Sequence, residues 1–339
     1  MKRITSRHAA AILFMSILIG VASWLHYHEY YFVVSPPSTK KIMVPEEQAF
    51  WKKEIQRVGG IQAWNTFKNT YGNEPNRFTV HERTHIFGGA LFDVEGVAAA
   101  AVCDDSFESG CQHEFFGKVI TASGLSILPA LEKVCLKGPG ELSHSCPHGI
   151  GHGIYWYLGD AHLAEALTEC TKLSDPRYIF ACETGVFMEN DFHLMTNPDD
   201  TGWRTFDPAK PHELCDSDAL KAYASACYFE SPLWWLRAYH KNYTEIGNLC
   251  GELQDNDVRR SCFRGVGHWA LIQKGYDVPK TIAVCDLMPS REDSIYCRER
   301  AMEIFVSGST LKNKDFPLFC TQDLSENEQK ICEKEIHRF

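Results

Sequence analysis

The most uniform apolar stretch of the chain is at its start: Ala9 to Leu25 carries no charge and follows Lys2, Arg3 and Arg7. Its 17 positions sit at the lower limit for a bilayer-spanning helix and slightly above the usual signal-peptide core. Val21-Ala22-Ser23 is only a weak cleavage-site match. The pattern predicts an uncleaved signal anchor over 1–25, basic flank in the cytoplasm and the rest exported, with a removed signal peptide as the alternative. His26–Pro45, containing Pro36-Pro37-Ser38-Thr39-Lys40-Lys41, reads as a linker. Farther on, Glu46–Gly59 or Ile61–Tyr71, followed by Thr79–Gly89, predicts a helix pair. Near the other end, Pro279-Lys-Thr-Ile-Ala-Val-Cys285 reads as one helix with proline in its first turn. Pro289 to Ser294 reads as a turn, and Ile295 onward as a second helix ending before Gly308.

That unit recurs. The 14 cysteines are Cys103, Cys111, Cys135, Cys146, Cys170, Cys182, Cys215, Cys227, Cys250, Cys262, Cys285, Cys297, Cys320 and Cys332. Taken as successive pairs, their separations are 8, 11 and then 12 five times. The first members from Cys135 onward step by 35, 45, 35, 35 and 35 residues. A fixed period near 35 predicts a helical-hairpin solenoid, with an insertion between Cys182 and Cys215. One cysteine closes the first helix of each hairpin and the next opens the second, so the pair meets at the turn and forms a disulfide within the repeat. Each such staple contributes on the order of 3 kcal/mol in the chain-entropy model. An exported, oxidising location makes disulfides the default for an even cysteine count. Structural zinc is the competing reading, but the ligand doublets it needs, such as C-x2-C, do not occur.

Ala166-Leu-Thr-Glu-Cys170 at the end of a first helix and Cys262-Phe-Arg-Gly265 opening a second resemble the cysteine-rich, disulfide-stapled relatives of the tetratricopeptide repeats. The likeness covers about residues 93–339. It implies an all-α, right-handed solenoid of about seven hairpins over 46–339. The histidine content departs from that family, so the resemblance carries architecture and no activity.

Aligning the second helices on their cysteine brings out a stripe. Position +2 holds His113, His148, Thr184, Phe229, Arg264 and Glu299; position +6 holds Gly117, His152, Met188, Leu233, His268 and Glu303. With Thr79 in the cysteine slot, His81 and His85 occupy the same two positions. Positions +2 and +6 share one helix face, one turn apart and away from the cysteine. The stripe is therefore expected on the concave surface, with His81, His85, His113, His148 and His152 converging as ligands for a transition metal such as zinc, copper or iron. Met188 and Glu189 follow on the next hairpin. Glu82, Glu114 and Glu189 are the candidate acid/base groups, and Glu183 a further candidate for the shell. A metal-free polar groove and purely structural histidines are the competing readings. The segment His81-Glu82-Arg83-Thr84-His85 also fits H-E-x-x-H, the zincin metalloprotease pattern, though nothing else resembles that fold.

Gly149, Gly151 and Gly153 within one helix have two equal explanations, close helix packing or backbone approach by a ligand. Asn190–Glu213 reads as a surface insertion, with a lid over the concave face as the alternative. Trp234 and Trp235 read as packing residues, and Asn242-Tyr-Thr244 as a chance glycosylation triplet.

Composition is that of a folded protein, 44% hydrophobic and 23% charged. The net charge of −10 argues against nucleic acid as the main partner. No nucleophile elbow, P-loop, dinucleotide fingerprint or haem-attachment motif occurs. Three functions fit: a metal-dependent extracytoplasmic enzyme, either hydrolytic or oxidative; a scaffold binding a protein, peptide or small molecule in its groove; or a metal-binding or delivery protein.

Overall fold

The computed structural model describes residues 44–74, 77–137, 145–191, 207–308 and 315–320, with 324, 326, 329, 330 and 333 beyond them. The signal anchor and most of the linker lie outside the described residues. Among those residues no single helix is long and apolar enough to cross a membrane.

The described chain is all-helical. Its helices are α1 (Val44–Val58), α2 (Gly60–Tyr71), α3 (Arg77–Glu95), α4 (Gly110–Ser123), α5 (Leu128–Lys137), α6 (Ser145–Leu158), α7 (Leu163–Cys170) and α8 (Pro176–Asn190). They continue as α9 (Glu213–Asp216), α10 (Ala224–Arg237), α11 (Tyr243–Gly251), α12 (Asn256–Gln273), α13 (Val278–Cys285) and α14 (Arg291–Gly308). Both alternatives for the first predicted helix are present, as α1 and α2, broken at Gly59, whose φ of 82° suits glycine alone.

The architecture is repeat-like. The second helix of each hairpin packs on the next in chain order, α3 on α4, then α6, α8, α10, α12 and α14. The contact between α8 and α10 is the least extensive, and there the insertion interrupts the period. Six of the seven expected disulfides are formed: Cys103–Cys111, Cys135–Cys146, Cys170–Cys182, Cys215–Cys227, Cys250–Cys262 and Cys285–Cys297, with Cα separations of 5.5–5.7 Å. The seventh, Cys320–Cys332, falls on a residue outside those described.

Three of the second helices begin earlier than their cysteines suggest. Cys182, Cys262 and Cys297 sit in the second turn of α8, α12 and α14. The cause is capping chemistry ahead of the apolar pattern. The side chain of Asp175 accepts from the Arg177 backbone N–H, with Pro176 opening the helix; Asp255 accepts from Asp257 and Val258. Ser290 accepts from the Asp293 amide, so the expected turn 289–294 already contains the first residues of α14.

Aromatic packing holds the first hairpin. Trp51, Trp64, Phe67, Tyr71 and Phe87 are buried together, with Trp64 stacked on Phe67 at 5.2 Å and tilted on Phe87 at 5.0 Å. A buried ion pair, Arg83 with Glu47, ties α1 to α3. Trp234 and Trp235 are buried, and Trp235 donates to the Pro211 carbonyl at 3.1 Å. Asn242 caps α11 in a reciprocal capping box with Glu245. Of the insertion, residues 192–206 lie outside the described set. Its end is packed down, with His212 bonded to Tyr228 and Glu252, each at 3.1 Å.

Candidate metal centre

The stripe assembles as its register requires. His81 and His85 come from α3, His113 from α4, and His148 and His152 from α6. Ring centroids are 4.8 Å apart within each i,i+4 pair. His113 lies between the pairs, 5.6 and 5.5 Å from His81 and His85, and 5.4 and 4.6 Å from His148 and His152. The five rings form two triads that share His113: His81–His85–His113 and His113–His148–His152. In each triad, one ligand atom per residue lies within 4.8 Å of the others, so either can hold a metal ion. The stripe is less open than a groove. His113, His148 and His152 are buried, whereas His81 and His85 are half-buried.

Glycine makes this convergence possible. A Cβ on Gly151 would lie 2.0 Å from the Cys182 carbonyl oxygen, and one on Gly185 would lie 2.0 Å from that of His148. Helices α6 and α8 therefore meet backbone to backbone, which brings Thr184 and Met188 against His148. Gly88 does the same for α3 and α4, where a Cβ would lie 2.2 Å from the Cys111 carbonyl. Of the two explanations for the helical glycines, close packing accounts for these.

The partners behind the rings decide which nitrogen faces inward. His81 Nδ1 is 2.9 Å from the Phe107 carbonyl, which can only accept, so Nδ1 carries the proton and Nε2 the lone pair. Thr184 donates its hydroxyl proton to the Ala181 carbonyl at 2.8 Å, so at 2.9 Å it accepts from His148 Nδ1. His152 Nδ1 donates to Glu189 at 2.6 Å. The Nε2 atoms of His148 and His152 face each other 3.1 Å apart. The Nε2 atoms of His81 and His85 are also 3.1 Å apart, but there His85 is free to donate. Met188 sulfur lies 3.4 Å from His148 Nε2.

For two of the rings the surroundings favour the neutral form. Burial holds His85 and His113 well below the ordinary imidazole range, and repulsion from the neighbouring histidines adds to it. Glu114 approaches His85 Nδ1 to 4.0 Å; burial lifts its carboxyl to about 7, outweighing Lys118, while Glu189 and Asp93 add to the rise. Burial likewise lifts Glu183 to about 7. Of the other candidate acid/base groups, Glu189 supports His152 and Glu82 is exposed on α3.

The loop presenting the Phe107 carbonyl is strained. Phe107, Glu108 and Ser109 take φ values of 56°, 59° and 59°, a left-handed conformation that costs non-glycine residues roughly 1–2 kcal/mol each. The Cys103–Cys111 bridge spans this loop. Tyr276, itself at φ 62°, donates to Glu108 from the turn between α12 and α13. The sequence pattern signalled neither the Phe107 carbonyl nor this long-range contact. Thr184 and Met188 were legible only as occupants of the two slots.

His268 belongs to neither triad. It packs on Phe229 and Trp269, and neither ring nitrogen has a partner among the described residues. Farther along, the stripe becomes an ion-pair cluster, Arg264 with Glu303 at 2.7 Å and Arg300 with Glu303 at 3.1 Å. No family model, curated protein or solved structure matches the chain.

Proposed function

We propose that the protein is a membrane-anchored, extracytoplasmic metalloprotein: a disulfide-stapled helical solenoid that holds a transition metal in its histidine core and uses it in catalysis. The observation that carries the reading is the inner pair. His148 and His152 each hold Nδ1 against a fixed partner and bring their Nε2 atoms to 3.1 Å. As neutral rings they would set two lone pairs against each other, and a cation bound between them removes that repulsion. A proton would satisfy two nitrogens; here the ring of His113 and the sulfur of Met188 converge as well, which favours a metal ion.

The backing of the rings supports the same reading. An imidazole fixed through Nδ1 by a carboxylate or carbonyl is the usual support of a metal-ligating histidine. Burial of the inner triad favours an ion over a macromolecule as its occupant. Glu114, 4.0 Å from His85 Nδ1 and with burial raising its carboxyl to about 7, is our candidate proton-transfer group beside the outer triad. Six disulfides support an oxidising compartment. The test is elemental analysis of the purified full chain beside His113→Ala. A bound transition metal in the parent and depletion in the variant, with helix content unchanged, is the expected result. Equal, negligible metal in both would refute the proposal.

A further inference from the structure

The two triads differ in what stands beside them. The outer one, His81–His85–His113, has the carboxylate of Glu114 nearby. The inner one has a thioether, Met188 Sδ, 3.4 Å from His148 Nε2. We infer that the inner site is a copper site, with His113, His148, His152 and Met188 as its four ligands and Cu(I) as the ion it prefers. This rests on the metal-centre reading above and adds the identity of the ion.

Two edges of the site fit one ion, and the His113 ligand atom lies within 4.8 Å of those of His148 and His152. With metal–nitrogen bonds of about 2.0–2.1 Å and a metal–sulfur bond of about 2.3 Å, separations of 3.1 Å between the nitrogens and 3.4 Å from nitrogen to sulfur correspond to bond angles of roughly 100°. That is close to tetrahedral, a geometry that suits a closed-shell d10 ion. Thioether sulfur is a soft ligand and selects Cu(I); carboxylate and water suit harder ions. Among the described residues no carboxylate takes the thioether's place on the inner triad, and Glu189 is held behind His152 through Nδ1.

Met188 also has an ordinary explanation. It is buried with Leu233 and Trp269, and methionine fills such gaps readily. Two observations favour ligation. Met188 occupies the same +6 slot that holds His85 and His152 on earlier helices, so the register aims it at the centre. The contact of Gly185 with the His148 carbonyl brings its helix to the closest approach the backbones allow.

The experiment uses the purified full chain in detergent, stripped of metal and loaded anaerobically with Cu(I) or Zn(II). Ascorbate serves as reductant because it leaves disulfides intact. Copper-edge X-ray absorption is compared between the parent and Met188→Leu, a volume-conserving change that keeps the core packed. The expected parent spectrum has nitrogen scatterers and one sulfur at about 2.3 Å. In Met188→Leu the sulfur shell disappears and Cu(I) retention against a chromogenic chelator falls about tenfold or more, the scale of losing one supporting group. Zn(II) retention stays within twofold. Copper bound through nitrogen alone, with Met188→Leu indistinguishable from the parent, overturns the copper assignment and leaves the metal centre standing. A folded chain that retains neither Cu(I) nor Zn(II) overturns both.

Discussion

Among single residues, the proposed site depends on atoms that would not touch an ion. Glu189, Thr184 and the Phe107 carbonyl each hold an Nδ1 proton and thereby turn an Nε2 lone pair inward. Removing such a support lowers metal affinity about 10–100-fold in comparable sites. Glu189→Ala is expected to do so here without unfolding the chain, measured by competition with a chelator and by circular dichroism. An unchanged affinity would show that His152 is oriented by packing alone. Glu230, farther along the inner face, tests a different force. It is buried, accepts from Trp269 at 3.1 Å, and burial holds its carboxyl well above the ordinary range, with Asp191 adding to the rise. Its neutral form is the one the fold favours, so its stabilising contribution is full below the ordinary carboxylate pKa and is lost as pH rises toward the folded value. Glu230→Gln should therefore gain stability relative to the parent as pH rises from about 4.5, the ordinary carboxylate value, toward neutrality. Melting temperatures across that range check it, and a constant offset would contradict it.

At the scale of helices, packing distance decides whether histidines on neighbouring elements meet. The crossing of α6 and α8 leaves no room for a methyl group at Gly151 or Gly185. Alanine is favoured over glycine in a helix by roughly 1 kcal/mol, but overpacking costs about 1–3 kcal/mol and displaces the backbone that carries His148. Gly185→Ala is expected to lower both melting temperature and metal affinity; a more stable variant with full affinity would show that the crossing can relax. Much of this level was legible in the sequence. Cysteine spacing located the hairpins because a disulfide needs close Cα atoms, and the +2 and +6 register located all five rings because helix geometry fixes which residues share a face. Helix starts were misplaced by a turn or more, since Asp175, Asp255 and Ser290 cap ahead of the apolar pattern. The sharing of His113 by two triads was not legible, because it depends on how deeply neighbouring helices interlock. Nor was the left-handed run Phe107–Ser109, which no glycine announces.

At the scale of the whole molecule, six short covalent loops and a continuous layer of second helices hold the centre, and each loop closes within its own hairpin. Peptide mapping without reduction should recover these six links and the seventh expected from the period, Cys320–Cys332; links between different hairpins would contradict the repeat. Because the links are local, losing a ligand should empty the site while the hairpins persist. The histidine core is proposed to hold a metal. Its most direct test is the transition-metal content per folded chain of the full-length protein, isolated without chelators or affinity metals. At least one ion per chain is expected, reduced in His148→Ala while the helical spectrum is retained. A parent chain that is folded, fully disulfide-bonded and free of transition metal, and that takes up none when it is supplied, would contradict it.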